Sequence, residues 1–280
     1  MAHPDLPDKV KAMLAHERVR FHHLLWHLTR DRGWWNGLDQ GNRENLIRAG
    51  WQALRFFGTP GSGIDFLGMH RQMIETTNVA LDQANDSDWQ KVVGWDPIPW
   101  SDSDPDWPVP EWQNEPPAWS TEEDWERRTN DANGARSSDT VAAMRQTANL
   151  VRDENILRGL TLDSLGLFLE GDLHGWMHIR WAGAPPEEVR DTSVQNDWLA
   201  DPWSSHVNKV FWKLHGWIDD RIGDWEKATG LTADLSEAWA GPVSSLSHMA
   251  HAGRLDQSTV RSESSPQTIF GKRQRENSPE

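Results

Sequence analysis

Leu169-Glu170-Gly171-Asp172-Leu173-His174-Gly175-Trp176-Met177-His178 is the stretch around which the rest of the chain is organised. If it is helical, His174 and His178 lie one turn apart on one face. Imidazole pairs at that spacing suit copper, zinc, iron or nickel. A lone pair of this kind arises in many helices by chance, so its neighbours decide its meaning. A second segment follows within reach: Val210-Phe211-Trp212-Lys213-Leu214-His215-Gly216-Trp217-Ile218-Asp219, with Trp225 beyond it. Near the N-terminus, Phe21-His22-His23-Leu24-Leu25-Trp26-His27 repeats the same spacing in His23 and His27.

The two later segments together resemble the second copper site of the tyrosinase, catechol oxidase and hemocyanin superfamily. That family writes Leu-Glu-x-x-x-His-Asn-x-x-His, then Phe-Trp-x-His-His-x-x-x-Asp with a Trp six residues on. The matching residues are Leu169, Glu170, His174 and His178, then Phe211, Trp212, His215, Asp219 and Trp225. The resemblance implies that His174, His178 and His215 bind one copper. It also implies that Glu170 is the catalytic acidic residue that holds a water near the metals. Gly175 stands where the family has Asn, and Leu214 replaces the histidine of the His-His pair that is not a ligand. With no cysteine in the chain, a thioether link to a histidine is excluded.

Asp65-Phe66-Leu67-Gly68-Met69-His70-Arg71 resembles the family's Phe-Leu-Pro-Trp-His-Arg element, which implies that His70 is a ligand of the first copper. The family's preceding ligand position, nine residues earlier, is Gly61, and no histidine lies between His27 and His70. A three-histidine first site must recruit from elsewhere. His23 and His27 share a face flanked by Leu24 and Leu28, which can bury it. His22 competes as a ligand but projects about 100° around the helix. The expected sets are His23, His27 and His70, then His174, His178 and His215, for two copper ions, or one if the first site is degenerate. His206, nine residues before His215, is a spare ligand or, preferably, a surface residue. His3, His16, His248 and His251 are expected in solvent.

The composition narrows the alternatives. The chain has 280 residues, 43 acidic against 28 basic, and a net charge of −15. Nucleic acid and anionic membranes are disfavoured as partners, because both are polyanions. No apolar run reaches the length of a membrane helix, and Met1-Ala2-His3-Pro4-Asp5 lacks the features of a secretory signal. Zero Cys fits a reducing compartment, so a cytoplasmic location is expected. Trp is 19 and Tyr is 0. Lineage bias is the simpler reading; avoidance of an oxidisable phenol is the sharper one.

The fold expected is mainly α, a four-helix-bundle core carrying the histidines, in a single tyrosinase-like domain over 1–253 with a disordered polar tail over 254–280. Apolar periodicity predicts helices over 6–30, 39–57, from 65 onward, 139–155, 205–228 and 234–251. Between them, 86–133 is rich in Trp, Pro and acid. Its prolines forbid long regular elements, yet seven tryptophans from Trp89 to Trp125 argue for packing. It is either an ordered insertion lidding the site or a surface loop.

The function these readings imply is a copper-dependent oxidoreductase acting with dioxygen on a small aromatic substrate such as a catechol or aminophenol, in a biosynthetic pathway, with a copper chaperone as a conceivable partner. Two other classes stay open: a metal-binding protein that oxidises nothing, and a mononuclear metalloenzyme. No Glu-x-x-His supports a bundle di-iron site. Gly175 and Gly216 exclude a His-Glu-x-x-His zinc motif at these histidines.

Overall fold

A computed structural model describes residues 3–242. The 254–280 tail, His248, His251 and half of the helix expected over 234–251 lie outside them. Among the described residues every regular element is helical and no strand occurs. The elements are α1 (Asp8–Ala15), α2 (Glu17–Arg30), α3 (Arg32–Gly37), α4 (Gln40–Arg48), α5 (Ser62–Ala84), α6 (Glu122–Arg136), α7 (Ser138–Leu150), α8 (Glu154–Leu157), α9 (Leu162–Leu169), α10 (Gly175–Arg180) and α11 (Lys209–Thr229). A π-turn, Glu170–His174, joins α9 to α10, and a 3-10 turn, Ser205–Val207, precedes α11.

The boundaries depart from the periodicity where local hydrogen bonds intervene. The helix expected over 6–30 breaks at His16, whose ψ of 134° is extended and whose ring Nδ1 accepts from Arg18 N–H to start α2. The helix expected over 39–57 stops at Arg48. Gly50 adopts φ 81° there, and Trp51 N–H turns back to Leu46 O at 2.8 Å. Leu54 and Phe57 are consequently exposed and off the helix. Residues 234–242 are not helical.

Two long helices form the centre. α11 buries Phe211, Trp212, Leu214, Trp217 and Ile218, and ends at Gly230 in the left-handed conformation. α5 buries Phe66, Leu67, Met69 and Met73. α9 crosses the N-terminus of α5 at backbone contact: a Cβ on Gly166 would sit 2.2 Å from Gly63 O, and one on Gly63 2.1 Å from Asp163 O. Asp163 also caps α5 from α9, accepting from the N–H groups of Gly61 (2.8 Å), Gly63 (2.9 Å) and Ile64 (3.3 Å). Asp163→Ala is expected to cost about 2 kcal/mol, since it leaves amide donors at a helix start without their acceptor. Thermal unfolding within error of the parent would show that the cap is dispensable.

The Trp- and Pro-rich stretch is irregular only to residue 121, because Thr121 caps α6 by accepting from Asp124 N–H. It is packed rather than decorative. Trp89, Trp95, Ile98 and Trp107 are buried, and the Trp112 ring stacks on Trp125 at 5.1 Å. The indole N–H groups find acceptors, as in Trp119 to Pro186 O (2.9 Å) and Trp112 to Thr129 Oγ1 (3.0 Å). The stretch grips α10 through the fully buried Arg180, whose Nη2 donates to Trp100 O (2.9 Å) and Asp102 Oδ1 (2.5 Å).

Candidate metal centre

Four helical segments supply the six expected histidines. α2 carries His23 and His27, and α5 carries His70. The π-turn and α10 carry His174 and His178, and α11 carries His215. All six converge. His23, His27 and His70 place donor nitrogens within 4.8 Å of one another, and so do His70, His174 and His215. His70 therefore belongs to both groups. His178 stands beside the second group, its ring 4.5 Å from His174 and 5.4 Å from His215.

Backbone carbonyls set which nitrogen of each ring faces the cluster. A carbonyl only accepts, so the ring nitrogen beside it carries the proton. His70 Nδ1 donates to Phe66 O (2.9 Å), His215 Nδ1 to Phe211 O (2.7 Å), His178 Nδ1 to Leu199 O (3.0 Å) and His23 Nδ1 to Pro202 O (2.6 Å). In these four rings Nε2 is then the unprotonated nitrogen. The Nε2 atoms of His70 and His178 are buried without a hydrogen-bond partner. His23 Nε2 lies 3.1 Å from His27 Nε2, and His174 Nε2 lies 3.1 Å from His215 Nε2. Two ligands of one cation at the usual 2.0–2.1 Å are separated by about 3 Å. Orphaned buried nitrogens with their opposite faces anchored to carbonyls are what imidazole ligation of a transition metal requires.

Burial keeps these rings neutral. It holds His23, His27, His70, His174 and His215 well below the ordinary imidazole range, and neighbouring imidazoles push in the same direction. Burial lowers His178 to about 4, against the opposing hydrogen bond to Leu199. Neutral imidazole is the metal-binding form. The surroundings are aromatic: Phe211 stacks on His215 at 3.7 Å, and Phe66 packs against His70 and His174.

A cleft of about 640 Å³ opens onto the cluster. His23, His27, His174 and His178 line it, while His70 and His215 do not. Leu28, Phe57, Ile179, Leu199 and Ala200 supply apolar walls, and Arg30 and Glu170 a charged one. Gly175 borders it, and a Cβ there would meet nothing within 4 Å. None of the residues lining this cleft comes from 86–121, so the insertion braces α10 from behind instead of lidding the site.

Glu170 opens the π-turn. Both its carboxylate oxygens accept from Arg30, Oε1 from Nη1 at 2.6 Å and Oε2 from Nη2 at 2.9 Å. Burial pushes its carboxyl above the usual range, and the Arg30 guanidinium opposes that shift. π-turns inside helices recur at functional sites.

His206 overturns the surface expectation. It is fully buried, donates from Nε2 to Leu14 O (3.0 Å) and turns Nδ1 to within 3.1 Å of His23 Nδ1. The 3-10 turn before α11 folds it inward. His22 is also buried but packs against Trp51, outside both groups of donors. His16 is exposed as expected. His3 instead packs its ring against Trp89 and Trp107. Among the described residues no helix is long and apolar enough to cross a membrane. No protein-family model and no curated protein sequence matches this chain.

Proposed function

We propose that this chain is a copper oxidase that passes electrons from a small aromatic substrate, a catechol or aminophenol, to dioxygen. The observation that carries the reading is the convergence of six neutral histidines, four with Nδ1 spent on backbone carbonyls, beside one apolar-walled cleft that His23, His27, His174 and His178 line. His23, His27 and His70 would hold one ion. His174, His215 and the adjacent His178 would hold the other. Copper, when bound, would supply the redox couple between the arene and dioxygen.

The chain's own residues do the rest. Leu28, Phe57, Ile179 and Leu199 take the face of an aromatic ring and exclude water from it. The open space at Gly175 leaves room for a ring to approach His174 and His178. Glu170 offers its remaining lone pairs to a water or hydroxyl at the cleft wall, within the field of Arg30. His206 backs His23 from the side away from the cluster. One observation favours a second reading, a single-metal protein: His70 is common to both groups of donors.

Copper stoichiometry separates the two readings. Near two ions per chain, with oxygen uptake on catechol or 2-aminophenol, is the expected result. One ion without oxygen uptake would replace the oxidase by the single-metal reading. His174→Ala, His178→Ala and His215→Ala are each expected to lose one ion and all activity; full copper retention in any of them removes that residue from the ligand set. Glu170→Gln should keep both ions at saturating copper and lower turnover. If it instead strips the metal, Glu170 is a ligand.

A further inference from the structure

We propose that Arg30 is the positioning residue that holds the two halves of the histidine cluster in register; the proposal rests on the metal-centre reading above. Arg30 is the last residue of α2, three positions after His27, and its side chain is 1% exposed. Its guanidinium joins three of the four segments that carry the histidines. Nη1 and Nη2 donate to the two oxygens of Glu170, the residue that opens the π-turn ending at His174. Nη2 also donates at 2.8 Å to the carbonyl of Ser62, the first residue of α5, which bears His70. The plane is held from one side by Trp26, with the guanidinium carbon 4.0 Å from the ring centroid.

A planar fork on a carboxylate fixes both distance and rotation, which a point charge on a flexible stem does not. A fully desolvated ion pair is a poor source of stability, and apolar replacements of similar volume are often neutral or stabilising. What the pair supplies here is geometry. Arg30 and Glu170 lie 140 residues apart in sequence, and their fork is a polar link at the cleft wall between the helix of the α2 histidines and the turn that ends at His174. Through it, a displacement of the π-turn becomes a displacement of His174 relative to His27, whose rings lie stacked 6.1 Å apart.

The test separates positioning from stability. The paired variant Arg30→Met with Glu170→Leu removes both charges together, and Arg30→Lys keeps the charge without the fork. Each is compared with the parent and with Asp163→Ala, which weakens α5 away from the cluster. Co(II) is the probe, read by its d–d absorption and by chelator competition, beside thermal unfolding of the metal-free protein. The expected result is that the paired variant unfolds within a few degrees of the parent, yet binds Co(II) about 10–100-fold more weakly and with an altered d–d spectrum. Arg30→Lys should fall in the same direction, and Asp163→Ala should keep the parent's affinity and spectrum. Parental Co(II) affinity and spectrum in the paired variant, or in Arg30→Lys should the pair fail to fold, would overturn the role. An equal loss in Asp163→Ala would reduce it to a general stability effect and overturn it as well. A parent that binds neither Co(II) nor Cu(II) refutes the metal reading itself, which no outcome among the variants can do.

Discussion

Acidifying the metal-free protein from about pH 7 to about pH 4 is expected to unfold it. Nine described histidines have pKa values pushed down in the folded state: His16, His22, His23, His27, His70, His174, His178, His206 and His215. Burial is the first cause for each, reaching about 4 for His22 and His178 and about 3 for His206. In the unfolded chain the same rings titrate near the ordinary imidazole value of 6.5. Between about pH 4 and 6.5 the unfolded state therefore binds more protons than the folded one. Stability is then fully present above 6.5 and is lost as pH falls through that window. Each fully depressed group contributes about 1.4 kcal/mol per pH unit. A domain margin of about 5–15 kcal/mol cannot outlast several such groups over two units.

The same linkage gives the copper effect its sign. A cation bound by neutral imidazoles must be displaced before those rings protonate, so the loaded protein should unfold at lower pH than the metal-free one. Circular dichroism against pH, with and without one or two equivalents of Cu(II), reads both quantities. A midpoint below about pH 4 in the metal-free protein would place its acid lability in the carboxylates and remove the histidines from the account. Identical midpoints with and without copper would mean that the cluster does not hold the ion.

The second large effect is expected at Gly216, next to His215 on α11. Helix propensity alone favours Gly→Ala by about 1 kcal/mol. Here the close approach of another segment reverses the sign. A Cβ on Gly216 would lie 2.6 Å from Gly94 N and 3.0 Å from both Gly94 Cα and Val93 C. Reciprocally, a Cβ on Gly94 would lie 2.3 Å from Trp217 N. Every atom met is backbone, so no rotamer change can relieve the clash, and Trp95 N–H donating to Lys213 O at 3.3 Å holds the two segments together. Gly216→Ala is expected to destabilise by about 3 kcal/mol or more, which for a chain of this size is about 10 °C in melting temperature.

The displacement would also move His215, so copper retention should fall with stability. Gly223, two turns further along the same helix, is the internal control. A Cβ there meets nothing within 4 Å, and Gly223→Ala should stabilise by a few tenths to about 1 kcal/mol. Equal melting temperatures for the two variants would mean that α11 and the loop at Gly94 are not in backbone contact.

His70 and His215 were singled out only by the resemblance of their segments, whereas the helical class and the inward turn of His174, His178, His23 and His27 were legible in the amino-acid order. They depend on a local rule, that residues three or four apart share a helix face, and apolar neighbours such as Leu24, Leu173 and Phe211 show which face is buried. The start of α2 at His16 and the end of α4 at Gly50 were less legible, since capping and left-handed backbone act over two or three residues and leave only faint periodic signals. His206 illustrates the limit. Its nine-residue spacing from His215 marked it, but an irregular turn has no face, so nothing local distinguished burial from exposure.

Contacts between distant segments were decided by the tertiary structure alone. His70 joins both groups of donors because α5 packs on α9 while the His70 ring meets both His27 and His174, an approach set by Gly63 and Gly166 touching backbone to backbone. Glu170, where α9 passes into the π-turn, meets Arg30 at the end of α2. The Trp-rich stretch lies behind α10, where Arg180 finds Trp100 and Asp102, and not across the cleft. The amino-acid order determined which side chains could serve as ligands and which face of each helix would carry them, because helix geometry is local. It did not determine which ligands would share a site, because that follows from how the helices pack, and packing is settled by shape and desolvation among residues far apart in the chain.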